Sequence, residues 1–161
     1  MIRQSGFILR AAVFAAAVVL ALFPAANSLQ AQTPAKTVWD GVYADAQAKR
    51  GAQVYNSECS YCHKDDLTGG FFDGGDGQAP ALAGARAFGS SFGERWNEAT
   101  VGEMVAAIAS VMPQQKPASL TLQQYVDVVS FLFSKNGIPA GNTELPLDVE
   151  ALGQIVITAR K

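Results

Sequence analysis

The stretch Glu58-Cys59-Ser60-Tyr61-Cys62-His63-Lys64 contains both cysteines of the chain and its only histidine. Two thiols three positions apart lie on one turn of a helix, and the histidine projects from the position directly behind. Three chemistries use such a set. The spacing is that of thiol–disulfide exchange, and in an oxidising compartment the pair can close as a disulfide. A thioredoxin-like site, however, sits in a βαβ unit, and the residues around Cys59 read as helix with no strand leading in. Structural zinc needs four nitrogen or sulfur ligands, and with no third cysteine or second histidine that set cannot close without carboxylates. The third chemistry is covalent attachment of c-type haem, for which C-x-x-C-H is the signature: each thiol forms a thioether to a vinyl group, and the histidine binds iron. Only this one consumes Cys59, Cys62 and His63 at once, and it is the chemistry the sequence favours.

Because His63 is the sole histidine, a second protein ligand to iron has to be methionine or another weak donor, or the position stays open. Past the N-terminal segment the chain has Met104 and Met112. Thr100 with Glu103 forms a capping-box pattern that predicts a helix from about Val101, along which Val101, Met104, Val105 and Ile108 make an apolar stripe. Met104 therefore has a packing role. Met112 would return to almost the same face, but Pro113 disfavours helical geometry at the residue before it, so the helix should stop there. The polar QQKPAS that follows has no core of its own. Met112 is thus the candidate distal ligand, carried into a loop.

The first residues place Arg3 and Arg10 before an apolar run from Ala11 to Phe23, then small and polar residues. That is the layout of a secretory signal peptide over residues 1–31, with cleavage expected after Ala31 or Ser28, and its apolar run is too short for a span of about 30 Å. No membrane span is expected after cleavage. Loss of Arg3 and Arg10 takes twelve basic residues to ten against fourteen acidic ones, and the formal charge from −2 to −4. The basic residues are scattered singly, without interleaved aromatics, which excludes a nucleic-acid footprint.

Two further helices are predicted. One, from about Asp45 to Glu58, presents Ala48, Gly51, Ala52 and Tyr55 on one face, and mid-helix Gly51 calls for a closely approaching partner. The other opens on Thr121 and Gln124 as a capping box, with Leu120 and Tyr125 as a hydrophobic staple. It shows Leu122, Tyr125, Val126, Val129, Leu132 and Phe133, and stops at Asn136-Gly137 before Pro139. This helix is the natural partner of the first.

With Gly51, Tyr55, Cys59-x-x-Cys62-His63, the APALAG stretch with Pro80 and Leu82, Trp96, Met112-Pro113 and Tyr125 in that order, residues 42–137 resemble a class I c-type cytochrome. The resemblance implies an all-α fold of three to five helices around one covalent haem c, with His63 as proximal and Met112 as distal iron ligand. It also implies that Pro80 offers its carbonyl to the His63 ring and that Trp96 lies in the cofactor site. Residues 32–41 are then an N-terminal extension, and 138–161 a tail draped on the domain surface.

Between His63 and Pro80 the Gly/Asp-rich segment does not have the spacing of an EF-hand loop at Asp73 and Asp76 and reads as a solvated loop, with Phe71 and Phe72 as candidates to cover a haem edge. The expected function is periplasmic electron transfer rather than catalysis, with redox protein partners: a dehydrogenase as donor and a cytochrome or oxidase as acceptor. Lys64, Lys116 and Lys135 are candidates for a small positive docking patch. The alternatives are a haem enzyme or ligand sensor with a labile distal Met112, a cytochrome subunit of a dehydrogenase complex, and a thiol–disulfide protein.

Overall fold

A computed structural model describes residues 36–71, 77–84 and 91–159. The expected signal segment, both cleavage positions, Phe72, Asp73 and Asp76 lie outside the described residues. The helices start where the sequence supplies caps. Helix α1 (Asp45–Glu58) runs into the single turn α2 (Ser60–His63), and a two-residue antiparallel pair, β2 (Gly70–Phe71) with β3 (Gln78–Ala79), follows. Helix α3 (Phe92–Trp96) opens on a Ser91/Glu94 capping box, α4 (Val101–Val111) on Thr100/Glu103 and α5 (Leu122–Lys135) on Thr121/Gln124. In each, the hydroxyl accepts from the backbone three residues on, and the partner side chain accepts from the cap's own N–H, so two orphan donors are satisfied together. The first of these boxes was not foreseen. With α6 (Val149–Leu152) the described residues hold six helices, more than the expected three to five, because α2, α3 and α6 are little more than single turns. None of them is long and apolar enough to cross a membrane.

The frame is the α1–α5 pair. Ala48, Gly51 and Tyr55 of α1 are buried against it, and a Cβ on Gly51 would run into the backbone carbonyl of Asp127. Only a hydrogen at that position lets the two helices approach so closely. Helix α5 departs from the expected one-sided face. Leu122 is exposed, while 125–133 are buried all round, including Asp127 and Ser130. The Asp127 carboxylate accepts from Arg50 Nε and Nη2 and from Gln123 Nε2, and the Ser130 hydroxyl donates to Val126 O, so neither polar group is buried unpaired.

The two chain ends correct the sequence expectation. The segment after Gly137 does not drape over the surface: Ile138, Leu145, Leu152, Ile155 and Ile157 belong to the core cluster. Strand β4 (Ile155–Val156) pairs in parallel with β1 (Lys36–Thr37), so extension and tail join one compact unit with the helices. Gln47, wholly buried in α1, reaches this segment as a strand edge would, accepting from Leu145 N at 2.8 Å and donating to Leu145 O at 3.3 Å. Arg50 clamps Glu144 at 2.8 Å, and Trp39 Nε1 donates to Thr158 O at 2.9 Å. The apolar positions of the tail are spaced irregularly between turns, so no period announced that they were core.

Candidate functional site

A cavity of about 440 Å³ opens between α1, α4, α5 and the Pro80 segment, its wall mostly apolar. Cys59, Cys62, His63, Pro80, Trp96 and Met112 all line it. The turn from α1 into α2 makes this possible: the N–H groups of Cys62 and His63 both donate to Cys59 O, at 3.2 and 3.0 Å, which winds both thiols and the ring onto one turn. The Tyr55 hydroxyl donates to Lys64 O at 2.6 Å and fixes the exit of that turn.

His63 is 6 % exposed, and its Nδ1 lies 3.0 Å from Pro80 O. A carbonyl oxygen only accepts, so Nδ1 carries the proton and Nε2 is left with its lone pair for other chemistry. His63 itself lines the cavity, and among the described residues no buried side-chain nitrogen or oxygen lacks a partner. Burial pushes the imidazole below its ordinary value, Arg95 adds to this, and the Pro80 bond opposes it; the net effect is a neutral ring, the ligating form. Gly69 allows the arrangement. At φ +66° its N–H donates to His63 O at 3.0 Å, and a Cβ there would lie 2.6 Å from the Pro80 carbonyl.

Both thiols are free and half-buried. Burial pushes the Cys59 thiol up to about 11, with Glu58 and Cys62 reinforcing it. A catalytic exchange thiol needs the opposite shift, since the thiolate is the nucleophile. Zinc fares no better: no group of three or more His, Cys, Asp or Glu side chains among the described residues is placed to hold a metal ion.

On the opposite side, α4 ends at Val111 and Met112 takes extended backbone angles (φ −124°, ψ 148°), with its N–H still donating to Ile108 O at 2.8 Å. The helix thus ends directly before the Met112-Pro113 pair, as Pro113 predicts. Met112 is half-buried. The Tyr125 hydroxyl donates to Met112 O at 2.8 Å and ties the turn to α5. Met104 is wholly buried in the core, as its stripe predicts, though it also borders the cavity two turns before Met112.

Several site features were not legible beforehand. Arg95 stands exposed at the cavity wall, its only cation near His63 by electrostatic effect among the described groups. Asn136, read only as a helix stop, donates from Nδ2 to Leu82 O at 2.9 Å and holds the segment after Pro80. Conversely, Phe71 is 63 % exposed and does not line the cavity. The positive patch is also reduced: Lys116 Nζ pairs with Glu58 at 2.7 Å, and Lys135 lies over the Phe131 ring.

Helices closed over an apolar cavity that carries two thiols and a neutral histidine on one turn are the framework of a c-type cytochrome domain. Residues 46–132, more than half of the chain, match the family described as "Cytochrome C oxidase, cbb3-type, subunit III", and the chain belongs to that family of electron-transfer haem proteins. No curated protein and no solved structure gives a match.

Proposed function

We propose that the protein is an exported monohaem electron carrier of the periplasm, with haem c bound through Cys59 and Cys62 and its iron held between His63 and Met112. The observation that carries this reading is the convergence on one apolar cavity of both thiols, a histidine whose Nδ1 is occupied by Pro80 O, and a methionine released from its helix. The residues fit the group: the thiols are free, the Nε2 lone pair is available, and the wall is apolar. The haem supplies a one-electron Fe(III)/Fe(II) couple, which a thioether ligand biases toward the reduced state.

The chain's own residues do the rest. Pro80 orients the His63 ring through its second nitrogen, as outer partners of metal-ligating histidines do. Leu82, Phe92, Val128 and Leu132 exclude water from the wall. Arg95 and Trp96, on one short helix, line the cavity wall, where Arg95 would supply a positive charge to an acidic group of the cofactor. Were His63 and Met112 both to hold the iron, no position would remain for substrate, which supports a carrier rather than an enzyme. A dehydrogenase as donor and an oxidase or second cytochrome as acceptor fit this role, the family description itself pointing to an oxidase component.

The test is spectroscopic. Haem should remain with the exported protein through acid–acetone extraction, and the ferric protein should show the weak sulfur-to-iron band at the red end of the spectrum. Met112→Ala should abolish that band and Met104→Ala should keep it; the reverse result would transfer the ligand role to Met104.

A further inference from the structure

The tail lies beyond the family-matched residues 46–132, yet it is built into the part of the fold that ends in Met112. Helix α4 rests on α5 and also on α6 and β4. The contact with α6 is at backbone distance: a Cβ on Gly102 would lie 3.1 Å from Gly153 N and 3.3 Å from Val149 O. Just before α4, the chain pairs with the tail. Glu98 N donates to Ile157 O and Ile157 N to Ala99 O, each at 2.8 Å, and Thr100, the cap of α4, bridges Val156. Asn97, which follows α3, accepts at its side-chain oxygen from Ala159 N at 3.1 Å.

The brace is itself anchored far from α4. Leu145 is tied to Gln47, Glu144 to Arg50, Thr158 to Trp39, and β4 to β1, while Leu152 and Ile157 are buried. Helix α4 is therefore held at its start by the tail and at its end by the Tyr125 bond to Met112. A helix of this length is about 16 Å long, so a tilt of about 4° moves one end by about 1 Å relative to the other. Ligand constellations tolerate only about 0.5 Å of such error.

We propose that the segment Leu145–Thr158 is a positioning element for the distal ligand: by bracing α4 and its cap it keeps the Met112 thioether seated, while the thiols and His63 are held by the turn from α1 into α2 and by Pro80. This rests on the reading of Met112 as the iron ligand. Loosening the brace leaves the covalent group in place and raises the fraction of molecules whose distal position is open.

Imidazole reads that fraction in the holoprotein, because apparent affinity scales with the population of the open state. Leu152→Ala, which empties a wholly buried position under α4, and Gly102→Ala, which pushes α4 from α6, should each tighten imidazole binding about tenfold or more and weaken the red-end sulfur band, with haem still covalent. Val126→Ala, a buried truncation in α5 away from the cavity wall, should lower thermal stability but leave imidazole binding as in the parent. Should Leu152→Ala fail to fold, Gly102→Ala carries the test. Parent-like imidazole binding in the tail variants, or equal tightening in Val126→Ala, would overturn the proposal. Met112→Ala separates the two readings: tightening there but not in the tail variants sinks the brace alone, whereas no tightening in Met112→Ala sinks the ligation reading and the brace with it.

Discussion

The Tyr125 hydroxyl donates to the carbonyl of Met112 at 2.8 Å, joining the turn after α4 to the helix that forms the floor of the cavity. Tyr125 is 4 % exposed, so its hydroxyl has few competing partners in water, and the bond holds the backbone of Met112 where α4 can no longer do so. Tyr125→Phe removes the bond and keeps the ring. It should cost about 1 kcal/mol of stability, and, because the Met112 carbonyl belongs to the proposed ligand, it should tighten imidazole binding about fivefold. Urea unfolding and imidazole titration of the same variant check both parts; a stability loss without tightening would mean that the bond braces the fold but not the ligand.

Gly51 tests the frame rather than the site. A Cβ at this position would enter the space of the Asp127 backbone carbonyl and the Val128 amide, which belong to a helix core and cannot swing aside. Gly51→Ala gains helix propensity of up to about 1 kcal/mol, yet the forced separation of α1 and α5 should outweigh it, giving a net loss of about 2 kcal/mol or more. Thermal unfolding of the variant decides the sign. A more stable protein would show that the α1–α5 contact is looser than the structure has it.

How far the fold can be read in the sequence follows from how local each signal is. The caps at Thr100 and Thr121, the stop at Pro113 and the small-residue face of α1 act within a few residues, and the structure has the helices of α1, α4 and α5 where they predict. The thiol pair and His63 occupy one turn for the same reason. What escaped were contacts between distant parts of the chain: Gln47 with Leu145 and Trp39 with Thr158 each join residues about a hundred positions apart. Asp127 interrupts an apolar face, and its burial is offset by Arg50 arriving from α1 together with Gln123 of its own helix. The role of Gly69 was hidden for a different reason. It sits in a glycine-rich stretch where composition marks every glycine alike, and the one that must pass beneath the Pro80 carbonyl is distinguished only in three dimensions.

Arg95 should tune the proposed couple. It is a cation at the cavity wall, and a nearby positive charge disfavours the ferric state, which carries one more charge than the ferrous. Arg95→Gln should therefore lower the midpoint potential. Because Arg95 is exposed and screened by solvent, the shift should be modest, on the order of 40 mV at most, and should shrink as salt is added. Potentiometric titration at low and high ionic strength measures both. A shift upward, or one insensitive to salt, would mean that the residue acts through packing rather than charge.

The cap of α4 gives the protein a defined acid response. Glu103 accepts from the backbone N–H of Thr100 at 2.7 Å and from its hydroxyl at 3.1 Å, and these bonds hold its carboxyl below the ordinary value of 4.5. A carboxylate with a lowered folded-state value contributes stability that is fully present above the unfolded value and is lost as pH falls through the folded one. Glu103→Gln keeps the acceptor oxygen but removes the charge, both its bonding and its favourable place at the helix N-terminus. At pH 7 the parent should melt at a higher temperature than the variant, and the gap should close as pH is lowered from about 5 toward 3, where the parent carboxyl becomes protonated. Because α4 leads to Met112, the sulfur band of the parent should weaken over the same range and that of the variant should change less. A melting gap that stays constant from pH 7 to 3 would show that the charge of Glu103 contributes nothing, and that the capping geometry alone holds the start of the helix.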